Sequence, residues 1–205
     1  MNKNDKYSLS KGAAIVKRAF DITGALIALI LFSLVFLIII IAIKSEDHGP
    51  AIFKQKRIGY KGKIFTLYKF RSMIVSAEKE GQPQLYQKGD SRLTKVGRFI
   101  RDHHLDELPQ LWNVLRGDMS FVGYRPERKY FVDKIMAINP DYALLYQTRP
   151  GLFSLATLYN GYTDTMEKML ERLRMDLNYL YKRTFWLDIK IIWLTAISII
   201  TGKKF

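Results

Sequence analysis

ITGALIALILFSLVFLIIIIAI, residues 22–43, decides what kind of chain this is: 22 residues without a charge, relieved of apolar character only at Thr23, Gly24 and Ser33. At about 1.5 Å per residue a straight helix of this length measures roughly 33 Å, enough for the roughly 30 Å hydrocarbon core of a bilayer. The run is too long for the apolar region of a cleaved signal, and no small-x-small site ends it before Lys44. Both flanks are basic. Lys17 and Arg18 precede it, and Lys44, Lys54, Lys56, Arg57, Lys61, Lys63, Lys69 and Arg71 follow. A single span concentrates its basic residues on the cytoplasmic side, whereas a re-entrant segment returns to the face it left and keeps both flanks there. Periodicity leaves the single-pass helix and the re-entrant hairpin both open. Ser33 is the one polar side chain in mid-run, where it can satisfy a broken backbone.

The 205 residues suffice for one compact domain or a small domain with an anchor. Lysine and arginine total 33 against 19 acids, a net charge of +14 that points to a polyanionic partner: nucleic acid, an anionic membrane or a phosphorylated substrate. Cysteine is absent, which excludes disulfides, cysteine nucleophiles and cysteine-ligated zinc. The aromatic residues sit within apolar runs, so no base-stacking platform is indicated and nucleic acid is not expected.

Downstream, AIFKQKRIGYKGKIFTLYKF (51–70) alternates as a β-hairpin with Gly59 and Gly62 at its turn. Residues 78–91, with Gly81, Pro83 and Gly89, read as a surface loop. A helix is predicted from Leu93 to about His103, and a second from Leu105 through LDELPQLWNVL to Gly117. GDMSFVGYRPE reads as a turn-rich loop, followed by a helix over 127–138 and a loop through Pro140 and Pro150. Asp164 with Glu167 resembles a capping box opening a helix whose Met166, Met169, Leu170, Leu173, Leu177 and Leu180 share a face. Phe185–Ile200 is short for a span. Asp188, Ile191, Thr195 and Ser198 form its polar stripe, and Trp186 and Trp193 favour a membrane interface, with a core helix as the alternative.

Chemistry concentrates in DSRLTKVGRFIRDHHLDELPQLWNVLRGDMSFVGYRP, residues 90–126. Arg92, Lys95, Arg98 and Arg101 recur every third residue. On a helix that spacing drifts by about 60° per step, giving a wrapping basic stripe. It suits either a diphosphate or a solvated face. The adjacent acids Asp106 and Glu107 can hold Mg²⁺ together with substrate phosphates, and a carboxylate can itself attack phosphorus. They also fit as ordinary acids at a helix start, where the dipole favours them. His103 and His104 lack metal-helix spacing and read as surface or interfacial residues, and HExxH, P-loop, GxSxG and GxGxxG motifs are all absent.

KRAFD (17–21), FKQKRIGYKGKIFTLYKFRSM (53–73), D-x-R-x-T-x-x-G from Asp90, LDELPQLWNVL-x-G-D-M-S-x-V-G (105–123), RPG (149–151) and WLDIKIIWLTA (186–196) together resemble the monotopic phosphoglycosyl transferases, the bacterial sugar transferase family, nearly end to end. The resemblance implies a mainly α fold with a small β-hairpin. It implies an N-terminal lead-in and re-entrant helix-break-helix over 1–48, then a catalytic domain over 49–205 with C-terminal interfacial amphipathic helices. The reaction it implies moves a sugar-1-phosphate from a UDP-sugar to polyprenyl (undecaprenyl) phosphate with Mg²⁺, releasing UMP. That is the first membrane step of bacterial glycoconjugate synthesis, on the cytoplasmic face of the inner membrane. It makes Asp106 the covalent nucleophile and Glu107 its partner, both near the metal. Lys69, Arg92, Arg101 and Arg125 become phosphate-binding. A homodimer stays open, as do the sugar and the glycan pathway. Three departures stand out: Leu34 follows Ser33 where proline is usual, Tyr124 replaces proline before Arg125, and RPGLFSLATLYNGYTD (149–164) differs from the usual PGITGxxQxxGR, with Ser154, Thr157 and Gly161 or Tyr162 at the altered positions. A non-catalytic membrane adaptor using the basic patch is the rival reading. Adjacent acids inside that patch favour the enzyme.

Overall fold

The computed structural model describes residues 7, 9–77, 90–160 and 163–201. The loop expected over 78–91 therefore lies almost wholly outside the described residues, as do Gly161 and Tyr162.

The apolar run folds as two helices. α1 (Lys11–Leu31) opens on Ser10, whose hydroxyl accepts from the Ala13 amide, and closes at Phe32 with φ −89° and ψ 5°. α2 (Ser33–Glu46) starts one residue later, bent by 60°. Neither proline nor glycine stands at the break, so a single residue carries it. The amide of Phe32 still donates to Ala28 O and that of Phe36 to Phe32 O, each at 2.9 Å. Among the described residues no single helix is long and apolar enough to cross a membrane, whereas the bent pair is so when taken together. Ile27, Ile30, Leu31, Leu34, Leu37 and Ile38 face outward along the pair.

Both ends of the pair are fastened to the rest of the chain. Arg18 donates to the Val114 and Leu115 carbonyls, both at 2.7 Å. The buried Asp21 carboxylate accepts from the Ser120 hydroxyl and the Phe121 amide, both at 3.0 Å. At the far end Glu46 accepts the Lys95 and Val96 amides at 2.6 and 2.9 Å. Arg71 holds the Asp47 carboxylate at 2.9 Å.

The predicted hairpin forms from β1 (Ile52–Ile58) and β2 (Ile64–Phe70), antiparallel, in register from Ile52 opposite Phe70 to Ile58 opposite Ile64. Its turn places Lys61 and Gly62 at positive φ. α3 (Lys95–Asp102) follows Thr94, whose hydroxyl caps it, and α4 (Gln110–Arg116) ends at Gly117 with φ 90°, the left-handed stop expected there. Phe65 and Leu67 of the hairpin pack with Leu111 and Val114 of α4 and Ala25 of α1. A buried aliphatic side chain of this kind contributes about 1.5–3 kcal/mol, which is what presses the hairpin, α1 and α4 into one layer.

The stretch read as a turn-rich loop contains a strand, β3 (Ser120–Val122), pairing parallel to β4 (Gly151–Phe153). Glycines permit the approach: a Cβ on Gly151 would lie 2.1 Å from the Gly123 nitrogen. α5 (Lys129–Ile138) is close to the helix expected over 127–138, but the loop through Pro140 contains a 3₁₀ stretch, Pro140–Gln147. α6 (Leu155–Tyr159) opens on a capping box of Ser154 and Thr157. α7 (Met166–Lys182) is capped by Thr165, not Asp164; the Thr165 hydroxyl accepts the Lys168 amide, while Asp164 pairs with the Lys168 ammonium at 2.7 Å. The predicted face of α7 is the buried one, with Met169, Leu173, Leu177 and Leu180 against Phe131, Val132 and Tyr142.

The last helix, α8, spans Phe185–Thr201. Its polar stripe begins by turning inward: Asp188 and Ile191 are buried, and Asp188 accepts from the Tyr179 hydroxyl at 2.6 Å and pairs with Lys17. Trp186 and Trp193 point out, 78% and 67% exposed. A buried carboxylate needs partners, and the folded chain supplies them from α7 and α1.

Candidate functional site

The site is built on a local break. α3 ends at His103, and His104 takes a left-handed conformation with φ 56°, strained by about 1 kcal/mol or more for a residue with a Cβ. A single 3₁₀ turn follows, Leu105–Glu107, carrying both acids. The acids were read as the start of the LPQLWNVL helix; they stand on a separate turn instead. Pro109 has no amide to donate to Leu105, so the ladder is interrupted and α4 begins at Gln110. Support from a helix dipole is thereby replaced by side-chain cations.

Those cations come from distant segments. Lys69 on β2 donates to Glu107 Oε1 at 2.6 Å and lies 3.7 Å from Asp106 Oδ2. Arg125, in the loop after β3, donates from Nη2 to the same Glu107 oxygen at 2.9 Å. Asn113, fully buried on α4, accepts the Tyr68 amide at 3.1 Å and donates to Thr66 O at 2.7 Å, which locks β2 beside the acidic turn. Lys69, Asp106, Glu107 and Arg125 are thus one contiguous group.

The remaining basic residues are placed differently. Arg101, in the last turn of α3, acts electrostatically on Asp106. Arg92 lies ahead of the Thr94 cap, and its described bonds run to Asp90 (Nε 2.8 Å, Nη2 2.5 Å) and Ala77 O (3.3 Å). The stripe is therefore not one helical surface: Arg92 belongs to the preceding turn. The His103 ring lies tilted by 35° against that of exposed Phe99, with ring centroids 4.4 Å apart.

The two acids are driven apart in proton affinity. Burial raises Asp106, with Lys69 opposing and Glu107 adding to the rise. Burial also pulls on Glu107, but Arg125 and Lys69 outweigh it and hold that carboxyl well below its usual range. Glu107 in turn raises Arg125. The arrangement is a permanently charged, doubly paired glutamate beside an undercompensated aspartate, the kind of split that separates roles within an acid pair.

Behind Arg125 lies a buried ionic network that the sequence reading missed. Glu127 accepts from Arg57 at 2.8 Å and from Arg172 at 2.5 Å, and those two arginines, against burial, hold it down at about 2. Asp176, one turn beyond Arg172, accepts the Arg125 amide at 3.4 Å, and burial pushes it up to about 7. Arg172 and Asp176 interrupt the apolar face of α7 at an i,i+4 spacing, the one signal from which this network was readable.

Among the described residues no group of three or more His, Cys, Asp or Glu side chains converges. Two adjacent carboxylates nevertheless suit Mg²⁺, which takes one or two protein oxygens and completes its shell from phosphates and water. Asp106, raised by burial, is the acid that gains most from added positive charge.

Residues 12–202 match the family model described as bacterial sugar transferase. The chain is 41% identical over 189 residues to an Aeromonas hydrophila protein named UDP-N-acetylgalactosamine-undecaprenyl-phosphate N-acetylgalactosaminephosphotransferase, covering 92% of this chain and 44% of that protein. It is 42% identical over 187 residues to a UDP-glucose:undecaprenyl-phosphate glucose-1-phosphate transferase of Caulobacter vibrioides, covering 90% of this chain and 70% of that one. An Escherichia coli protein of the same name is 41% identical over 191 residues, covering 92% and 41%. The chain thus spans less than half the length of two of these three relatives.

Proposed function

Because this chain belongs to the bacterial sugar transferase family, we propose that it transfers a sugar-1-phosphate from a UDP-sugar to undecaprenyl phosphate and releases UMP. The observation that carries this reading is the unequal acid pair, Glu107 fixed by Lys69 and Arg125 while Asp106 beside it keeps a raised proton affinity. A carboxylate with weaker charge compensation is the better nucleophile of the two.

Asp106 attacks the sugar-bearing phosphorus, an O–P bond forms, and the bond from that phosphorus to the bridging oxygen breaks as UMP leaves with the electron pair. An oxygen of undecaprenyl phosphate then attacks the same phosphorus and returns the carboxylate to Asp106. Lys69 and Arg125 stand where charge develops on the transferred group, with Arg101 adding positive potential from α3. Asp106 and Glu107 would hold Mg²⁺ when it binds, and the ion would supply Lewis acidity and neutralise diphosphate charge there. The purified chain, incubated with undecaprenyl phosphate and a panel of UDP-sugars, is expected to release UMP with one or a few of them. Release from none overturns the reading.

The bent pair α1–α2 acts in this reading as a re-entrant anchor in the inner leaflet, with α8 lying in the interface through Trp186 and Trp193. Three features support it: the break at Phe32, the outward apolar side chains, and bonds at both ends to the same body. All catalytic residues then face the cytoplasm. Asn4→Cys and Ser76→Cys variants, made in a chain that has no cysteine, should both resist an impermeant thiol reagent applied to intact cells. Labelling of the Asn4→Cys chain alone establishes a bitopic span instead.

A further inference from the structure

The main chain is fastened on both sides of Arg125. Before it, the Gly151 amide donates to Tyr124 O at 2.8 Å. After it, Arg57 donates to Pro126 O and the Ile58 amide to Glu127 O, both at 3.1 Å. The amide of Arg125 itself has one partner among the described residues, Asp176 Oδ2 on α7, and that bond is long, at 3.4 Å. It holds the residue whose guanidinium donates to Glu107 Oε1 at 2.9 Å. Asp176 is buried, and its second oxygen, Oδ1, has no hydrogen-bond partner. The buried hydroxyls of Tyr124 and, on the 3₁₀ stretch, Tyr142 have none either, and Asp176 acts electrostatically on both phenols. Buried polar atoms are seldom left unpaired, and Oδ1 can take up a proton without breaking any bond. Burial, the largest influence, and Glu127 from the loop after β3 favour the neutral acid, while Arg172 on the same helix and Arg125 favour the carboxylate; the balance pushes Asp176 up to about 7. Arg57 on β1 enters through its pairing with Glu127.

We propose that Asp176 is a positioning residue for Arg125: as a carboxylate it draws in the Arg125 amide and sets the guanidinium on the acid pair, and as a neutral acid it lets that residue slacken. This rests on the transferase reading above. A hydrogen bond to a charged acceptor is shorter and roughly twice as strong as one to a neutral acceptor, so a single proton on Asp176 changes how firmly the backbone of Arg125 is held. The sign follows from the raised carboxyl. It is neutral on the acid side of its titration and charged on the alkaline side, so transfer gains from Asp176 on the alkaline side.

The test compares the full wild-type chain with Asp176→Asn across pH, in detergent micelles with undecaprenyl phosphate and the preferred UDP-sugar. The amide keeps an oxygen to accept from Arg125 and cannot ionise. Dividing one profile by the other cancels the limb set by Asp106 and Glu107. The ratio of kcat/KM for the UDP-sugar, wild type over variant, should climb from near one on the acid side of neutrality to about tenfold on the alkaline side. Asp176→Asn should fold, with an alkaline unfolding midpoint at or above that of the wild type, because a buried charge is removed. Tyr124→Phe is the second variant. It removes an unpaired hydroxyl that can turn toward the carboxylate, keeps Asp176 and moves its titration to higher pH, so the wild type should outpace it only in a window about neutrality. A ratio flat with pH in Asp176→Asn overturns the inference; should that variant not fold, a Tyr124→Phe profile superimposable on the wild type overturns it instead. A wild-type chain that releases no UMP overturns the transferase reading and this inference with it, whereas an active wild type with a flat ratio overturns this inference alone.

Discussion

Asp106→Asn is expected to lower turnover on the order of 10⁴-fold or more, because an amide of nearly the same shape cannot attack phosphorus. The variant should fold. Burial already disfavours the Asp106 carboxylate, so replacing it with a neutral group removes a cost and leaves Glu107 paired with Lys69 and Arg125. Loss of activity is then separable from loss of structure by an unfolding midpoint at or above that of the wild type. A covalent mechanism also leaves a trace: wild-type enzyme given UDP-sugar without lipid should release UMP at most stoichiometrically. After rapid quenching, the peptide containing Asp106 should carry the mass of a phosphosugar, and the variant should carry none. Full turnover by Asp106→Asn, or wild-type transfer with no adduct at any quench time, sinks the covalent route.

Removing Arg125 should have the next largest effect. Arg125→Ala takes a cation from the group where charge develops and strips Glu107 of one of its two partners, so kcat/KM should fall by about 10²–10³. The pH dependence is the sharper readout. The working pair has both carboxyls ionised, and burial raises Asp106, so activity in the wild type is lost as pH falls through a limb above the usual carboxylate range. Lys69 and Arg101 act on Asp106, Lys69 and Arg125 act on Glu107, and each positive charge favours the doubly ionised form. Deleting one makes that form harder to reach and moves the limb to higher pH, a shift that belongs to the pair as a unit. Arg125→Lys should return the limb toward its wild-type position while recovering only part of the rate, since an ammonium keeps the charge and loses the fork. A limb that does not move in Arg125→Ala means that Arg125 does not govern the pair.

The features legible in the sequence were those with local causes. The hairpin follows from alternation around Gly59 and Gly62, the stop of α4 from Gly117, and the buried face of α7 from its spacing of methionine and leucine. What was missed depends on partners far along the chain. Three-residue strands such as β3 and β4 have no measurable period, and their pairing rests on two glycines 28 residues apart, Gly123 and Gly151. The stripe of α8 is visible in its spacing but the side it faces is not, because only Tyr179 and Lys17 reveal that Asp188 faces inward. In the candidate site the adjacency of Asp106 and Glu107 is written in the chain, but their splitting is not. It arises from Lys69, 38 positions from Glu107, and from Arg125, 18 positions away, meeting on one oxygen.

The bonds at the two ends of α1–α2 bear on modularity. Arg18 closes the carbonyl end of the helix that follows the acidic turn, Asp21 joins the strand leading to Arg125, and Glu46 accepts the first amides of the helix that ends at the same turn. The apolar hairpin is therefore not an interchangeable cassette. A foreign helix pair of equal length and hydrophobicity, grafted over 11–46, leaves the carbonyls of Val114 and Leu115 and the amides of Lys95, Val96 and Phe121 to find new partners, all within two elements of the acids.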